Sequence, residues 1–110
     1  MKSSPLEDKL FDQMTEAGIP LPERQQTFHP KRRWRVDFLW RDLRLVVEVE
    51  GGTWTGGGHV RGGGFRSNVD KYNALQLMCY RLLRVTTDMI RDHSAILLIQ
   101  EAIMLFSQAA

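Results

Sequence analysis

The stretch Arg33–Glu50, RWRVDFLWRDLRLVVEVE, contains two runs of alternating apolar and polar side chains. In Arg33–Trp40 the even-numbered positions are apolar, and in Leu43–Glu50 the odd-numbered positions are apolar. A period of two is typical of β-strands that bury one face. Because only Arg41 and Asp42 separate the runs, the stretch predicts a β-hairpin.

The alternation also predicts the hairpin register. If Trp40 lies opposite Leu43, all the apolar side chains of both strands share one face. Asp37, Glu48 and Glu50 then share the other face, with Asp37 diagonal to Glu48. Diagonal neighbours lie about 7–8 Å apart at the backbone, so we expect the two carboxylates to reach one common cation.

A helix is predicted before the hairpin. Ser4 is a good N-cap, Pro5 suits the first helical position, and Glu7 follows three residues after the cap. Apolar residues then recur at helical spacing as far as Gly18, which is a typical helix stop. A short edge strand is expected near 25–28.

Glycine dominates the segment after the hairpin, because eight of the nine glycines fall between Gly51 and Gly64. This segment is predicted to be a loop. The elements expected after it are a helix capped by Ser67 and running to about Tyr80, a strand Arg81–Thr86, and a helix from Asp88 onward, broken near His93. The order α-β-β-β-α-β-α predicts an α/β fold in which a mixed β-sheet is flanked by helices.

Composition limits the class of protein. The chain has 110 residues, of which 43% are hydrophobic and 25% charged, so we expect one globular domain over residues 1–110. The single cysteine, Cys79, excludes an internal disulfide and a cysteine-based zinc cage. No apolar run indicates a secretion signal or a membrane span, and a cytoplasmic protein is expected. The isoelectric point near 9.0 favours a polyanionic partner.

Three acids, Asp37, Glu48 and Glu50, are expected to converge on one side of the hairpin. Clustered carboxylates repel one another, and a hard divalent cation such as Mg²⁺ is their natural partner. The alternative is that Arg33 and Arg35 form cross-strand ion pairs with Glu50 and Glu48. Spacing alone leaves both interpretations open.

Two further residues have alternative interpretations. Glu7 falls on the apolar arc of the first helix, where it is either a capping-box residue or part of the acidic site. Lys71 lies on an apolar flank of the second helix, where it either extends its ammonium to solvent or points it at a phosphate.

The motif formed by Asp37, ten intervening residues and Glu48-Val49-Glu50 resembles that of the PD-(D/E)XK nuclease superfamily. The wider pattern is similar to small endonucleases of the very-short-patch-repair type, and closer still to compact phage-encoded members. The residues that carry it are Glu7, Arg35-Val36-Asp37-Phe38, Val47-Glu48-Val49-Glu50-Gly51-Gly52 and Leu83-Arg84-Val85.

The resemblance implies a restriction-endonuclease-like core and a metal-dependent DNA endonuclease. It implies that Asp37, Glu48, the peptide oxygen of Val49 and Glu7 bind Mg²⁺, for which Mn²⁺ could substitute. Glu50 occupies the place of the usual catalytic lysine, where it would orient or deprotonate water, and Lys71 would supply the missing ammonium. The substitution at position 50 is also compatible with an inactive descendant that only binds DNA.

DNA contacts are expected from the basic residues around the hairpin and from the glycine loop. The candidates are Arg33, Arg35, Trp54, His59, Arg61 and Arg66. Glycines allow close backbone approach to DNA, and Trp54 could stack on bases. The alternatives are that the arginines are simply solvated, that Trp54 folds onto the core and that His59 is an ordinary loop histidine. The loop lacks the GK[ST] ending of a nucleotide-binding P-loop, so no nucleotide cofactor is expected.

The last helix is apolar on nearly every side over Ala95–Phe106. A chain this small cannot bury every face of such a helix, so a homodimer is predicted. Three functional hypotheses remain at this point. The first is a DNA endonuclease, with selectivity for branched or otherwise structured DNA as one option. The second is a DNA-binding module that retains the fold without catalysis, and the third is a structural dimerisation domain.

Overall fold

The computed structural model describes residues 4–51 and 63–108. Its helices are α1 (Pro5–Ala17), α2 (Gly63–Leu77), α3 (Thr87–Arg91) and α4 (Ser94–Gln108). Its strands are β1 (Glu23–Thr27), β2 (Arg35–Trp40), β3 (Leu45–Glu50) and β4 (Arg81–Thr86). The predicted order of elements is therefore confirmed, and the expected break near His93 separates α3 from α4.

Helix α1 begins and ends where its capping residues predict. The Ser4 hydroxyl accepts a hydrogen bond from the Glu7 backbone N–H at 3.1 Å. Gly18 follows the last turn with φ 71°, a left-handed conformation that glycine adopts at little cost. The predicted helix is therefore confirmed at both ends.

The four strands form one mixed sheet in the order β1-β2-β3-β4. Strands β1, β2 and β3 pair antiparallel, whereas β4 pairs parallel to β3 after the crossover through α2. Helices cover both faces. One buried cluster joins the sheet to α1, α3 and α4, and a second joins it to Leu75 of α2. This arrangement confirms the predicted α/β class.

The hairpin register is shifted by two residues from the predicted one. Trp40 lies opposite Leu45, not Leu43, because the connection contains four residues, Arg41–Arg44, instead of two. Arg44 in this connection has φ 48°. A shift of two residues does not by itself change the face of a side chain. Because Phe38 pairs with Val47, the next residues of the two strands beyond this pair are Asp37 and Glu48, which lie beside each other.

The even-numbered apolar side chains of Trp34–Trp40 do not share one face, although the sequence predicts that they do. Phe38 and Trp40 pack in the cluster with α1 and α4, whereas Trp34 and Val36 pack in the cluster with α2. The side-chain alternation of this segment therefore changes face at Asp37. The change of face lies just beyond Phe38, the last residue of β2 that pairs with β3.

Helix α2 differs from its predicted bounds at both ends. It begins at Gly63, so Ser67 lies inside the helix and does not cap it. The Ser67 hydroxyl instead accepts a hydrogen bond from the Trp34 indole N–H at 3.3 Å. The helix ends at Leu77, because Cys79 has φ 62° and begins the turn into β4.

Helix α4 buries only one side. Ala95, Ile96, Ile99, Ala102 and Ile103 are buried against the sheet, while Leu97, Met104 and Leu105 are 63%, 60% and 54% exposed. Within the described ranges, no helix combines the length and the hydropathy that crossing a bilayer requires.

Candidate acidic site

Asp37 and Glu48 are joined by hydrogen bonds at the point where the β2–β3 pairing ends. The Asp37 backbone N–H donates to Glu48 Oε2 at 2.8 Å. The Val49 backbone N–H donates to Asp37 Oδ2, also at 2.8 Å. Each carboxylate therefore accepts a backbone hydrogen bond from the neighbouring strand, which satisfies donors that regular pairing would have used.

Glu7 of α1 belongs to the same acidic group. Its side chain is only 9% exposed. The carboxylate accepts a hydrogen bond from Gln25 Nε2 at 2.7 Å, and the same Nε2 donates to Asp37 Oδ1 at 3.2 Å. Since the Glu7 backbone N–H also donates to Ser4, half of the capping box is present. The Glu7 side chain, however, turns towards Asp37 and the sheet.

Lys71 of α2 lies against the opposite side of Glu48. Its Nζ is 2.6 Å from Glu48 Oε1 and donates to the Arg35 carbonyl oxygen at 2.7 Å. The lysine side chain is 13% exposed and the glutamate side chain 7%. The ammonium is thus turned inward onto the acid and does not extend into solvent.

The acids of this group bring together more negative charge than Lys71 can neutralise. Burial raises the pKa of Glu48, and the Asp37 charge raises it further, although Lys71 opposes both effects. Burial likewise raises the pKa of Glu7, again with a contribution from Asp37. Neighbouring like charges disfavour ionisation. Lys71 therefore compensates only part of the negative charge that these three side chains bring together.

Glu50 has partners of its own. Arg84 contacts both of its carboxylate oxygens at 3.1 Å, and the Tyr72 hydroxyl donates to Glu50 Oε2 at 3.0 Å. Burial alone would raise the pKa of Glu50, but the hydrogen bonds from Arg84 and Tyr72 outweigh it and lower that pKa. Burial and the Glu50 charge raise the pKa of Tyr72. At neutral pH this group is an ionised carboxylate facing a neutral phenol and a guanidinium.

The predicted cross-strand ion pairs are not formed. Glu48 pairs with Lys71 and Glu50 pairs with Arg84, whereas Arg33 and Arg35 are both exposed. Arg35 donates to the Gln25 carbonyl oxygen at 3.4 Å. The alternative in which the two strand arginines neutralise the two glutamates is therefore wrong.

The described acids do not form a ready-made metal site. Over residues 4–51 and 63–108, no three His, Cys, Asp or Glu side chains stand in an arrangement that could hold a metal. The oxygens of Asp37 and Glu48 instead accept hydrogen bonds from Gln25, Lys71 and backbone N–H groups. The chemistry nevertheless fits a hard cation, because the side chains of Glu7, Asp37 and Glu48 all offer carboxylate oxygens as ligands. The Lys71 ammonium already lies against Glu48 as a cation.

The residues expected to contact DNA are placed in different surroundings. Trp54, His59 and Arg61 lie outside the described residues. Arg66 is on the exposed side of α2 and pairs with Asp70 at 3.1 Å. Arg33 is exposed in a basic segment that precedes β2.

An aromatic cluster underlies this basic segment. The Arg32 guanidinium lies 4.0 Å from the centre of the Trp34 ring, which stacks on Phe28 with ring centres 6.2 Å apart. The same indole donates to Ser67, one helical turn before Lys71. The basic segment is therefore attached to the helix that carries the site lysine.

Three residues of the site were missed in the sequence. Gln25 lies on the edge strand, where nothing in its residue type signals a role. Tyr72 directly follows Lys71, and Arg84 lies on β4. Strands β3 and β4 pair parallel, and Arg84 lies in register with Glu48. The signal that could have found Arg84 is therefore the expectation that the strand after a crossover helix pairs parallel to the acidic strand.

Comparisons with known proteins give limited sequence similarity and a clear structural one. No protein-family model matches the chain. Two uncharacterized proteins, one from each of two strains of Mycobacterium tuberculosis, are 46% identical to it over 46 residues. The match covers 40% of this chain and 17% of theirs, so the chain matches less than a fifth of the length of these curated relatives.

Among solved structures, the catalytic domain of the homing endonuclease I-Bth0305I is similar over nearly its whole length. The TM-score is 0.70 at 20% sequence identity, covering 94% of this chain and 98% of that domain. At this identity the similarity concerns the backbone arrangement. The chain therefore has the fold of a nuclease catalytic domain, with an acidic site on its central hairpin.

Proposed function

We propose that the chain is a metal-dependent DNA endonuclease of the PD-(D/E)XK type. The observation that carries the proposal is the convergence of Glu7, Asp37 and Glu48 from three elements, with Lys71 against the last of them. An arrangement that serves stability alone has no need to bring like charges together. The nuclease fold supports the same assignment.

Asp37, Glu48, the Val49 carbonyl oxygen and Glu7 are proposed to hold Mg²⁺, for which Mn²⁺ could substitute. A divalent ion at this place would neutralise charge on a phosphodiester and activate water for its hydrolysis. The protein's own part is to hold the carboxylates together. The Asp37 and Val49 backbone N–H groups fix one oxygen of Glu48 and one of Asp37 in place.

Lys71 and Glu50 are proposed to act on the phosphate and the water. The Lys71 ammonium is fixed by two oxygens and is close enough to Glu48 to stabilise negative charge developing on a neighbouring phosphate. Glu50 is held by Arg84 and Tyr72 with a lowered pKa. A carboxylate of low pKa accepts protons weakly, so orienting a water suits it better than deprotonating one.

DNA is proposed to approach along the exposed basic segment and the glycine loop. Arg33, Arg35 and Arg66 would contact phosphates, and Trp54, His59 and Arg61 are proposed contacts from the loop. The Arg32–Trp34 stack offers a flat cationic surface at the entrance to β2. Selectivity for branched or otherwise structured DNA is part of this proposal.

A homodimer is proposed through α4. Leu97, Met104 and Leu105 are more than half exposed on one helix. Apolar side chains grouped on one exposed helix face are typical of an association surface. Two copies joined in this way would present two acidic sites, which suits cleavage of both DNA strands.

The test is cleavage of supercoiled plasmid and of a four-way DNA junction, with Mg²⁺, Mn²⁺ or excess chelator. We expect metal-dependent cleavage by the wild type and loss of at least about 100-fold in Asp37→Asn, the order of effect seen when one charge-stabilising group is removed. Asp42→Asn is the matched control, because Asp42 is exposed in the hairpin connection. Equal cleavage by both variants would contradict the assignment of Asp37.

One observation favours a second candidate function. Position 50 carries a glutamate that is engaged by Arg84 and Tyr72, where the superfamily usually has a lysine. This supports a DNA-binding module without catalysis. Metal-independent binding of the junction, with no cleavage in either metal, would favour this candidate over the endonuclease.

A further inference from the structure

Strand β1 has an irregularity at Gln25. Its neighbours pair regularly with β2, Arg24 with Phe38 and Gln26 with Val36, so no residue is inserted between them. Gln25 itself, opposite Asp37, has φ 53°. A left-handed conformation is unfavourable for a residue with a side chain and persists only when its surroundings impose it.

The irregular backbone places the Gln25 carboxamide between two acids on different elements. Its Nε2 is 2.7 Å from Glu7 Oε1 on α1 and 3.2 Å from Asp37 Oδ1 on β2. An amide nitrogen carries two N–H donors, one for each acid. The contact therefore joins the first helix to the central hairpin through the acidic site.

The chemical nature of this bridge matters. A lysine or arginine here would join the carboxylates and also cancel their charge, as Lys71 does for Glu48. A carboxamide donates to both carboxylates while it adds no charge. The two acids are thus held side by side by a group that does not neutralise them.

We propose that Gln25 is a positioning residue, whose carboxamide holds Glu7 and Asp37 next to each other so that both can bind one divalent cation. This inference deepens the proposed function and rests on it. The left-handed backbone is the means by which the side chain reaches both acids. Gln25 acts through the two carboxylates and has no contact of its own with the reacting atoms.

The first test is made without metal, by chemical unfolding of a double-mutant cycle. Gln25→Gly removes the bridge and relieves the left-handed backbone, and Gln26→Gly is the matched control on the same strand. Without the bridge, Glu7 and Asp37 repel each other directly. We therefore expect Glu7→Gln to lower the unfolding equilibrium constant at least about fivefold more in Gln25→Gly than in the wild type, a coupling typical of contacting residues.

In Gln26→Gly, the effect of Glu7→Gln should equal that in the wild type. If the effects of Glu7→Gln and Gln25→Gly on the unfolding equilibrium constant combine independently to within about twofold, the margin for independent sites, the proposed bridge is wrong.

The second test is calorimetric titration with Mn²⁺ alone. Residues that orient metal ligands typically contribute about 10–100-fold to affinity, and we expect a loss in this range for Gln25→Gly with little change for Gln26→Gly. Gln25→Asn should bind as weakly as Gln25→Gly, because asparagine tolerates the backbone but is one methylene too short. Unchanged affinity in Gln25→Gly would overturn the positioning role.

The two tests separate this inference from the proposed function. A wild type that binds no Mn²⁺ would overturn the metal-dependent endonuclease and the cation-positioning role together. The metal-free cycle would then still decide whether the bridge holds the two acids. Normal Mn²⁺ binding by both the wild type and Gln25→Gly would overturn the inference alone and leave the endonuclease standing.

Discussion

Asp37 and Glu48 lie beside each other just beyond the last β2–β3 pair, and the side chain of each accepts a hydrogen bond that the strand pairing leaves unused. Glu48 Oε2 accepts from the Asp37 backbone N–H, and Asp37 Oδ2 accepts from the Val49 backbone N–H, both at 2.8 Å. The acidic pair is therefore part of how β2 and β3 are joined. Its removal should affect the sheet as well as the chemistry, which is why isosteric amides are the more informative substitutions.

Lys71→Met is expected to destabilise the metal-free protein by about 3 kcal/mol at pH 7, because removing one partner of a buried ion pair leaves the other charge unpaired. Both side chains are at most 13% exposed. Urea unfolding measures the change, with Lys9→Met on the exposed side of α1 as control. Adding Glu48→Gln to Lys71→Met should restore most of the loss, since position 48 then carries no unpaired buried charge. A variant as stable as the wild type would show that solvent already screens Glu48.

The Glu50–Arg84 pair is expected to stabilise the protein at neutral pH and to lose this effect in acid. The pKa of Glu50 is lowered from 4.5 in the folded state, so the unfolded chain takes up its proton first as the pH falls. Stabilisation is complete above the unfolded value and disappears as the pH falls through the folded one.

Arg84→Met removes this effect. The raised pKa values of Glu7 and Glu48 change the stability in the opposite sense as the pH falls. The Glu7 contribution is the same in wild type and variant, whereas the Arg84 charge also acts on Glu48. Unfolding by urea between pH 7 and pH 3 should show the difference between the two proteins shrinking towards acid. A difference that does not change with pH would contradict the ion pair.

Arg33→Gln is expected to weaken DNA binding equally for all sequences and to reduce the slope of log affinity against log salt by about 1, the effect of losing one phosphate contact. Arg41→Gln is the control, because Arg41 is already paired with Glu23 at 2.9 Å. Fluorescence anisotropy with a labelled junction at several salt concentrations measures both. An unchanged slope in Arg33→Gln would remove this residue from the DNA contacts.

Met104→Lys is expected to convert a homodimer into a monomer, because it places a charge in the apolar α4 surface formed by Leu97, Met104 and Leu105. Light scattering at micromolar concentration reports the mass. Leu77→Lys is the matched control, since Leu77 is 85% exposed on α2. A monomeric wild type, or dissociation by Leu77→Lys instead, would contradict an interface on α4.

Local sequence signals determined most of the elements. The cap at Ser4 and the stop at Gly18 depend on residues only a few positions apart, and the structure confirms both. The alternation predicts the two hairpin strands, which are present, but the predicted register is wrong by two residues and the alternation changes face at Asp37. Strand Arg81–Thr86 was predicted with the bounds it has. The bounds of helix Gly63–Leu77 are predicted less well, because the helix begins with two glycines, which typically indicate a loop.

The sequence by itself thus determined the class of fold and the presence of acids on the central hairpin. Only the tertiary structure decided which partner each acid has: the four-residue connection set Asp37 beside Glu48, the crossover brought Lys71 to Glu48, and β4 brought Arg84 to Glu50. Capping and alternation are short-range effects, whereas these pairings depend on how distant elements pack. The left-handed backbone that places Gln25 between Glu7 and Asp37 is of the second kind.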